Sequence, residues 1–413
     1  MDYKIADRGL APSGEKKIRW AKQYMPVLRL LEEKYRKEQP LAGTVISACL
    51  HLEAKTACLL ILLKDLGAKV TAAGSNPLST QDDICAALVE NGVSVFSRHG
   101  MTTEEYFENV RSALSVKPNI IVDDGADLVA MVHSEMRDLL PGIRGGSEET
   151  TSGVKRLKSM ANEGVLAFPM ISVNDAHSKY LFDNRYGTGQ SVMDGILRTT
   201  NMLVAGKNVV IAGYGWCGRG VAMRASAMGA RVIVTEIDPH RAFEALMDGY
   251  EVASMDAVAS RGDIFLTLTG NTRVIRREHF EKMKDGVLLG NAGHFDVEIC
   301  KPDLLDLSSS VEEARPGVET YTLKDGRRIH LLGEGRLVNL ACADGHPIEI
   351  MDLSFALQLE SAVFLAKNTL EPGLYDVPEA IDRAVMEAKL ASLNIRLDRM
   401  TPEQEEYMKS WVE

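Results

Sequence analysis

Long apolar runs are missing from this chain. Segments such as CLLILL fall far short of the roughly 20 residues that cross a bilayer, and the opening MDYKIADRGLAPSG has neither the basic start nor the apolar stretch of a secretory leader. Cysteine is scarce and scattered: Cys49, Cys58, Cys85, Cys217, Cys300 and Cys342 include no C-x-x-C pair, which argues against a disulfide framework and a cysteine-held zinc site. Positive charge is in deficit, with 47 Lys and Arg against 58 Asp and Glu and a net charge of -11. Such a surface repels phosphate backbones, and no basic stripe interleaved with aromatics offsets it. Membrane and nucleic acid are therefore not expected as partners, no metal is expected, and the cytoplasm is the expected compartment. What remains is a chain of 413 residues, 45% hydrophobic, long enough for two domains or one large one.

Short β-rich runs alternate with helical patterns along most of it: TVISACL, AKVTAAG, VSVFSR, NIIVDD and FPMISVND, then NVVIAG, RVIVTE, DIFLTLTG and VLLGNAG. This alternation predicts an α/β protein with parallel sheets and helices on both faces. The series restarts at NVVIAG after a polar helical segment, DNRYGTGQSVMDGILRTTNMLVAGK, so one doubly wound unit is expected before about residue 184 and a second after it. Ligands of open parallel sheets bind beyond the carboxyl ends of the strands. Polar residues collect there in the first series: His51, then Ser79, Thr80 and Gln81, then Asp123, Asp124 and Asp127, then Asn174 and Asp175. Four strand ends sharing one rim predict a cleft.

The stretch KNVVIAGYGWCGRGVAMRASAMGARVIVTEIDP has the order of a dinucleotide-binding βαβ unit. A strand ends at Ala212, Gly213, Gly215 and Gly218 supply G-x-G-x-x-G, a helix runs to Met228, and Gly229 stops it. The glycines serve a tight turn, backbone approach to a pyrophosphate and close helix–strand packing. Glu236, roughly 20 residues past the glycines, is placed to accept hydrogen bonds from the adenosine ribose and to repel a 2′-phosphate. NAD is favoured over NADP, although Arg241 stands nearby.

Together, HLEAKTA, NPLSTQDD, DDGAD, SEETTSG, KYLFDNRYG, GYGWCGRG, TEIDP, NAGHFDVEI and EGRLVNLACADGHP resemble the adenosylhomocysteinase family, the S-adenosylhomocysteine hydrolases, from about Ile18 to Met408. The resemblance implies two doubly wound, Rossmann-like domains. Residues 1–184, completed by about 347–377, would bind substrate; residues 185–346 would bind NAD; 378–413 would be an oligomerisation extension in a homotetramer or dimer of dimers. It also implies cleavage of a nucleosyl thioether to homocysteine and adenosine or inosine. Thiolate leaves poorly from an unactivated carbon, so NAD first oxidises the ribose 3′-hydroxyl. The ketone acidifies the C4′ hydrogen, homocysteine is eliminated, water adds, and the hydride returns.

Position by position, Lys179 and Asp183 resemble the pair serving the 3′-hydroxyl, with Lys179 as a base whose pKa burial and the positive nicotinamide ring lower. Asp124 resembles the C4′ proton acceptor, and Glu149 with His51 and His294 the group handling the leaving thiolate and water. Thr150, Thr151, Ser152, Asn184, Trp216, Cys217, Thr269, Asn271, Gly293, Asn339 and His346 are similar to positions around NAD and the nucleoside.

Departures from the family pattern carry their own expectations. Thr188 stands where many members have a cysteine, Ser152 replaces a threonine, and Arg241 replaces an asparagine. The sequence ends at TPEQEEYMKSWVE, without the longer tail that reaches a neighbour's NAD, so easier cofactor exchange is expected. The base-facing positions depart as well: Glu53 and Lys55 replace a threonine and a Glu or Gln, and Asp344 replaces a methionine, beside His346. Lysine only donates. It suits O6 of hypoxanthine rather than the 6-amino group of adenine, while Glu53 or Asp344 would suit N1–H. S-inosyl-L-homocysteine is thus expected as the better substrate, with S-adenosyl-L-homocysteine close behind; the alternative is that Glu53 and Lys55 pair with each other and water relays the contact to adenine. Two other functions share the domain plan: an NAD-dependent 2-hydroxyacid dehydrogenase, which needs an arginine clamp, and a non-catalytic NAD-binding regulator, which predicts damage at His51, Asp124, Glu149, Lys179 or Asp183, all intact.

Overall fold

The computed structural model describes residues 2–411. Six strands come first: β1 (Val45–Leu50), β2 (Lys69–Gly74), β3 (Ser94–Phe96), β4 (Ile120–Asp123), β5 (Gly145–Glu148) and β6 (Pro169–Ser172). Eight follow: β7 (Asn208–Ala212), β8 (Arg231–Thr235), β9 (Glu251–Val252), β10 (Ile264–Thr267), β11 (Val287–Asn291), β12 (Ser308–Arg315), β13 (Val318–Leu323) and β14 (Arg328–Leu332). The chain ends its strands with β15 (Gly373–Asp376).

The first sheet has the order β15-β6-β5-β4-β1-β2-β3, and all its pairings are parallel. Helices cover both faces, so its central strands are buried on both sides and read as nearly continuous apolar runs. Ile46, Ala48 and Leu50 of β1 enter one core, while Cys49 joins Ile121 of β4 in the other. β5 is buried as well, but GGSE offers no branched or aromatic residue by which to recognise a strand.

The second sheet has the order β12-β13-β14-β11-β10-β7-β8-β9. Its parallel part matches the sequence expectation; its edge does not. β12, β13 and β14 form an antiparallel meander, and β12 lies outermost and mostly exposed, so SSSVEEAR shows no apolar pattern.

Between β6 and β7 the chain crosses from one sheet to the other through π-helical turns, Tyr180–Gly187, and the helix Thr188–Thr200. It returns after β14 as the helix Ile348–Lys367, buried along most of its length against the first sheet, and adds β15 beside β6. The segment expected to be an extension from residue 378 begins inside this fold. In the helix Glu379–Ser392, Asp382 accepts hydrogen bonds from the backbone N–H groups of His177 (2.8 Å) and Ser178 (2.9 Å). From Leu393 onward apolar side chains are exposed, up to Trp411 at 96%. No helix among the described residues is long and apolar enough to cross a membrane.

The crossing is packed backbone to backbone. A Cβ at Gly220, on the helix Trp216–Ala227, would stand 1.7 Å from the carbonyl oxygen of Arg185 in the π-helical turns. Gly220→Ala is therefore expected to destabilise the protein by about 1–3 kcal/mol through overpacking. Gly142→Ala, where nothing lies within 4 Å, should be near neutral. Thermal unfolding of the two variants checks the contrast.

Candidate active site

The carboxyl ends of β1, β4, β5 and β6 face those of β7 and β11 across a cavity. From the first sheet it is lined by His51, Glu53, Lys55, Asp124, Glu149, Thr150, Thr151, Lys179, Asp183 and Asn184; from the second by Cys217, His294, Asn339 and His346. Every residue expected to be catalytic is among them.

Asp124 sits in a tight turn after β4. Gly125 and Ala126 take φ of +109° and +62°, and a Cβ on Gly125 would stand 2.5 Å from Nε2 of His294, so the second sheet's histidine seats directly on the first sheet's turn. Asp124 lies 3.2 Å from His51 Nε2 and 3.5 Å from His294 Nδ1. His51 Nδ1 meets Ser79 Oγ at 2.7 Å, and Ser79 Oγ also lies 3.1 Å from the Asn76 carbonyl. The Asp124 carboxylate only accepts, so it is met by an Nε2–H of His51, while the Ser79 hydroxyl serves Nδ1. Burial lowers the His51 pKa to about 4, against the pull of Asp124.

The turn itself hangs on Glu148. Its carboxylate accepts N–H bonds from Gly125, Ala126 and Thr150, each at 2.9 Å, so one buried side chain sets both the Asp124 turn and the start of the helix Thr151–Asn162. Burial and the nearby Asp123 push the Glu148 pKa well above the carboxylate range. Asp123, which burial lifts to about 8, and Asp127, which bonds Tyr106 and Arg156, face away from the cavity.

Lys179 ends the short helix His177–Lys179 and is buried. The wider π-helical turn lets it reach both the fourth and fifth residues ahead, Asp183 at 3.2 Å and Asn184 at 2.8 Å. Asp183 also meets His346 Nδ1 (3.0 Å) and accepts from Ser354 (2.6 Å). Burial would raise the Asp183 pKa, but Lys179, His346 and Ser354 hold it well below the usual range. The expected lowering of the Lys179 pKa is not found. Burial does pull it down, yet Asp183 and Glu149 outweigh burial and raise it. Glu149 is the reverse case: burial pushes it up to about 8 despite Lys179.

At the base end the structure corrects two expectations. Glu53 caps the helix Ala54–Asp65, its carboxylate accepting from the N–H groups of Lys55 (3.0 Å) and Thr56 (3.1 Å), from the Thr56 hydroxyl (3.2 Å) and from Lys55 Nζ (2.8 Å). A carboxylate has about four acceptor positions, so none remains for a purine N1–H. The Asp344 carboxylate turns outward to Arg198 (2.6 Å) with its side chain 66% exposed; only its carbonyl reaches inward, accepting from Lys55 Nζ at 2.6 Å. The Glu53–Lys55 pairing weighed as the alternative is thus present.

Thr150, Thr151, Asn184, Cys217, Asn339 and His346 line the cavity, and Thr188 joins the last of these at 3.2 Å. The remaining expected cofactor positions do not line it. Gly213, Gly215, Trp216, Gly218, Glu236, Arg241, Thr269 and Asn271 lie at the carboxyl edge of the second sheet, Gly293 is held against Glu298, and the Ser152 hydroxyl is buried without a partner. That edge fits a dinucleotide. A Cβ on Gly218 would strike the Gly213 carbonyl at 1.9 Å, whereas one on Gly215, at the uncapped start of the helix Trp216–Ala227, would meet only Arg241 at 3.8 Å. Glu236 ties the turn down, accepting from the N–H groups of Tyr214 (2.7 Å) and Ile237 (2.7 Å). Glu148 and Ser79 went unassigned in the sequence reading. Glu148 sits in a strand too polar to recognise, and Ser79 was visible only as a strand-end residue.

Asp183→Asn removes the anion nearest Lys179 and nearly keeps its shape. Burial should then win, and the pH midpoint of the Lys179 ¹⁵Nζ resonance should fall; an unchanged midpoint would contradict the balance of charges around it.

Residues 184–345 match the model of the S-adenosyl-L-homocysteine hydrolase NAD binding domain, and residues 2–141 match S-adenosyl-L-homocysteine hydrolase. The adenosylhomocysteinase of Thermococcus kodakarensis is 58% identical over 412 residues, 99% of this chain and 98% of that protein. The S-inosyl-L-homocysteine hydrolases of Methanopyrus kandleri and Methanocaldococcus jannaschii are 56% and 53% identical, each covering 100% of this chain and 98% and 99% of their own.

Proposed function

The chain belongs to the S-adenosyl-L-homocysteine hydrolase family, a family of NAD-binding hydrolases, and from that premise we propose that it hydrolyses an S-nucleosyl-L-homocysteine to homocysteine and nucleoside, with the inosyl compound preferred. The two substrate names both occur among relatives of similar identity, so the preference rests on this chain's own residues. Lys55 carries it. Two of its three protons are spent on Glu53 and the Asp344 carbonyl, and one donor remains at the cavity wall. O6 of hypoxanthine accepts such a donor; the 6-amino group of adenine opposes it.

We assign the substrate to residues 1–184 with 347–377 and NAD to 185–346. Bound NAD supplies the hydride acceptor for the ribose 3′-carbon, with Gly213, Gly215, Gly218 and Glu236 holding its adenosine end. Lys179 takes the 3′-hydroxyl proton. It begins protonated between Asp183 and Glu149, so this step quickens as pH rises. Asp124 takes the C4′ proton, with His51 Nε2 3.2 Å away to orient its carboxylate. Glu149, with His51 and His294, exchanges protons with the leaving thiolate and the incoming water. Among the described residues no arginine lines the cavity, which leaves a 2-hydroxyacid without its clamp. The exposed apolar side chains from Leu393 to Trp411 support assembly as a homotetramer.

Lys179→Ala should lower kcat by about 10²- to 10⁴-fold, the usual worth of a positioned base; a loss under tenfold would remove Lys179 from that role. For the base, kcat/KM is compared between S-inosyl- and S-adenosyl-L-homocysteine. A buried donor facing a donor costs about 1–3 kcal/mol, or roughly 5- to 150-fold, and Lys55→Gln should erase that preference. A wild-type preference for the adenosyl compound, unaltered by the substitution, would show that Lys55 does not read the base.

A further inference from the structure

The helix Ile348–Lys367 is apolar around most of its surface, yet Ser354 and Gln358 are fully buried in it one turn apart. Ser354 donates to Asp183, as described. Gln358 Nε2 donates to Glu149 Oε2 at 2.6 Å, and Gln358 Oε1 accepts from the Ser147 hydroxyl of β5, also at 2.6 Å. The Glu149 carboxylate fixes the amide's orientation, and the Ser147 hydroxyl, able to donate or accept, anchors the other end. With the amide reversed, its oxygen would face the Glu149 carboxylate, lone pair to lone pair. The other oxygen of Glu149, Oε1, is buried with no partner, and Glu149 lines the cavity.

We propose that Gln358 is a positioning residue for the reaction: its amide, anchored on Ser147, holds Glu149 by one oxygen and reserves the other for the substrate. This rests on the hydrolytic reading of the site. The charged groups facing Glu149 are Lys179, which favours its anion, and Asp183 and Asp124, which oppose it. Burial lifts Glu149 to about 8, and the Gln358 N–H counteracts part of that rise. The donor thus keeps Glu149 near neutrality, where a carboxyl group both gives and takes a proton.

The test titrates Glu149 in the NAD-loaded enzyme by infrared difference spectroscopy, assigning its carboxyl band as the one lost in Glu149→Gln. Gln358→Met should move the midpoint up by at least about one pH unit, and the limb of the kcat–pH profile that Glu149→Gln abolishes should move with it. Ser147→Ala should give a smaller shift in the same direction, and the double variant no more than Gln358→Met alone. An unmoved midpoint, or a loss of kcat equal at every pH, overturns the proposal. Should Gln358→Met fail to fold, the Ser147→Ala midpoint decides by the same criterion. The infrared midpoint needs no turnover: a wild type that cleaves no nucleosyl thioether would refute the hydrolytic reading while leaving the Gln358 measurement intact.

Discussion

Burying an ammonium costs several kcal/mol unless anions and hydrogen-bond partners replace its water, and around Lys179 they do. Asp183 and Asn184 receive it directly, and Glu149 lies within its field. Asp183 is in turn fixed by His346 and Ser354, from the loop and helix that follow the second sheet. The same charges split two carboxyl groups within one cavity: Asp183 is held as a firm anion, while Glu149 is left near neutrality. Acid and base assignments follow from that separation.

Neither sheet holds a complete site. The first brings Asp124, Glu149 and Lys179, and the second brings His294, Cys217 and Asn339. The join is tight where it matters, with His294 against Gly125 and Gly220 against Arg185. Glu148 stabilises the first sheet's share by binding two strand ends through one carboxylate.

Much of this was legible in the sequence. Buried parallel strands announce themselves as β-branched apolar runs, and residues at their carboxyl ends share a rim by topology; His51 and Asp124 were placed that way, the glycine turn at 213–218 by its order between strand and helix, and Glu149 only by the family resemblance. β5 and the meander of β12 to β14 were not legible, because one is built of glycine and serine and the other lies at an exposed edge. Residue types were readable at the base end, but directions were not. Glu53 went to a helix cap and Asp344 to Arg198 because nearer partners satisfied them first. The Lys179 charge balance was misread for a related reason: burial is visible in a sequence, and the anions that outweigh it are not. Gln358 left one faint signal, a polar residue one turn from Ser354 in a largely apolar helix that also buries Asp352 and Ser361.

The return of the chain to its first sheet also sets a timetable. β6 ends at residue 172 and its neighbour β15 begins at 373. At about 5–20 residues per second of synthesis, that edge of the sheet waits roughly 10–40 s for its partner on a ribosome. The second sheet, contiguous from 208 to 332, is complete only late in that wait. During the wait β6 presents unpaired N–H and C=O groups, a template for the wrong strand. Newly made chains close together are thus most vulnerable to mispairing in this interval, while the substrate half still lacks both its border and the helix that steadies Glu149.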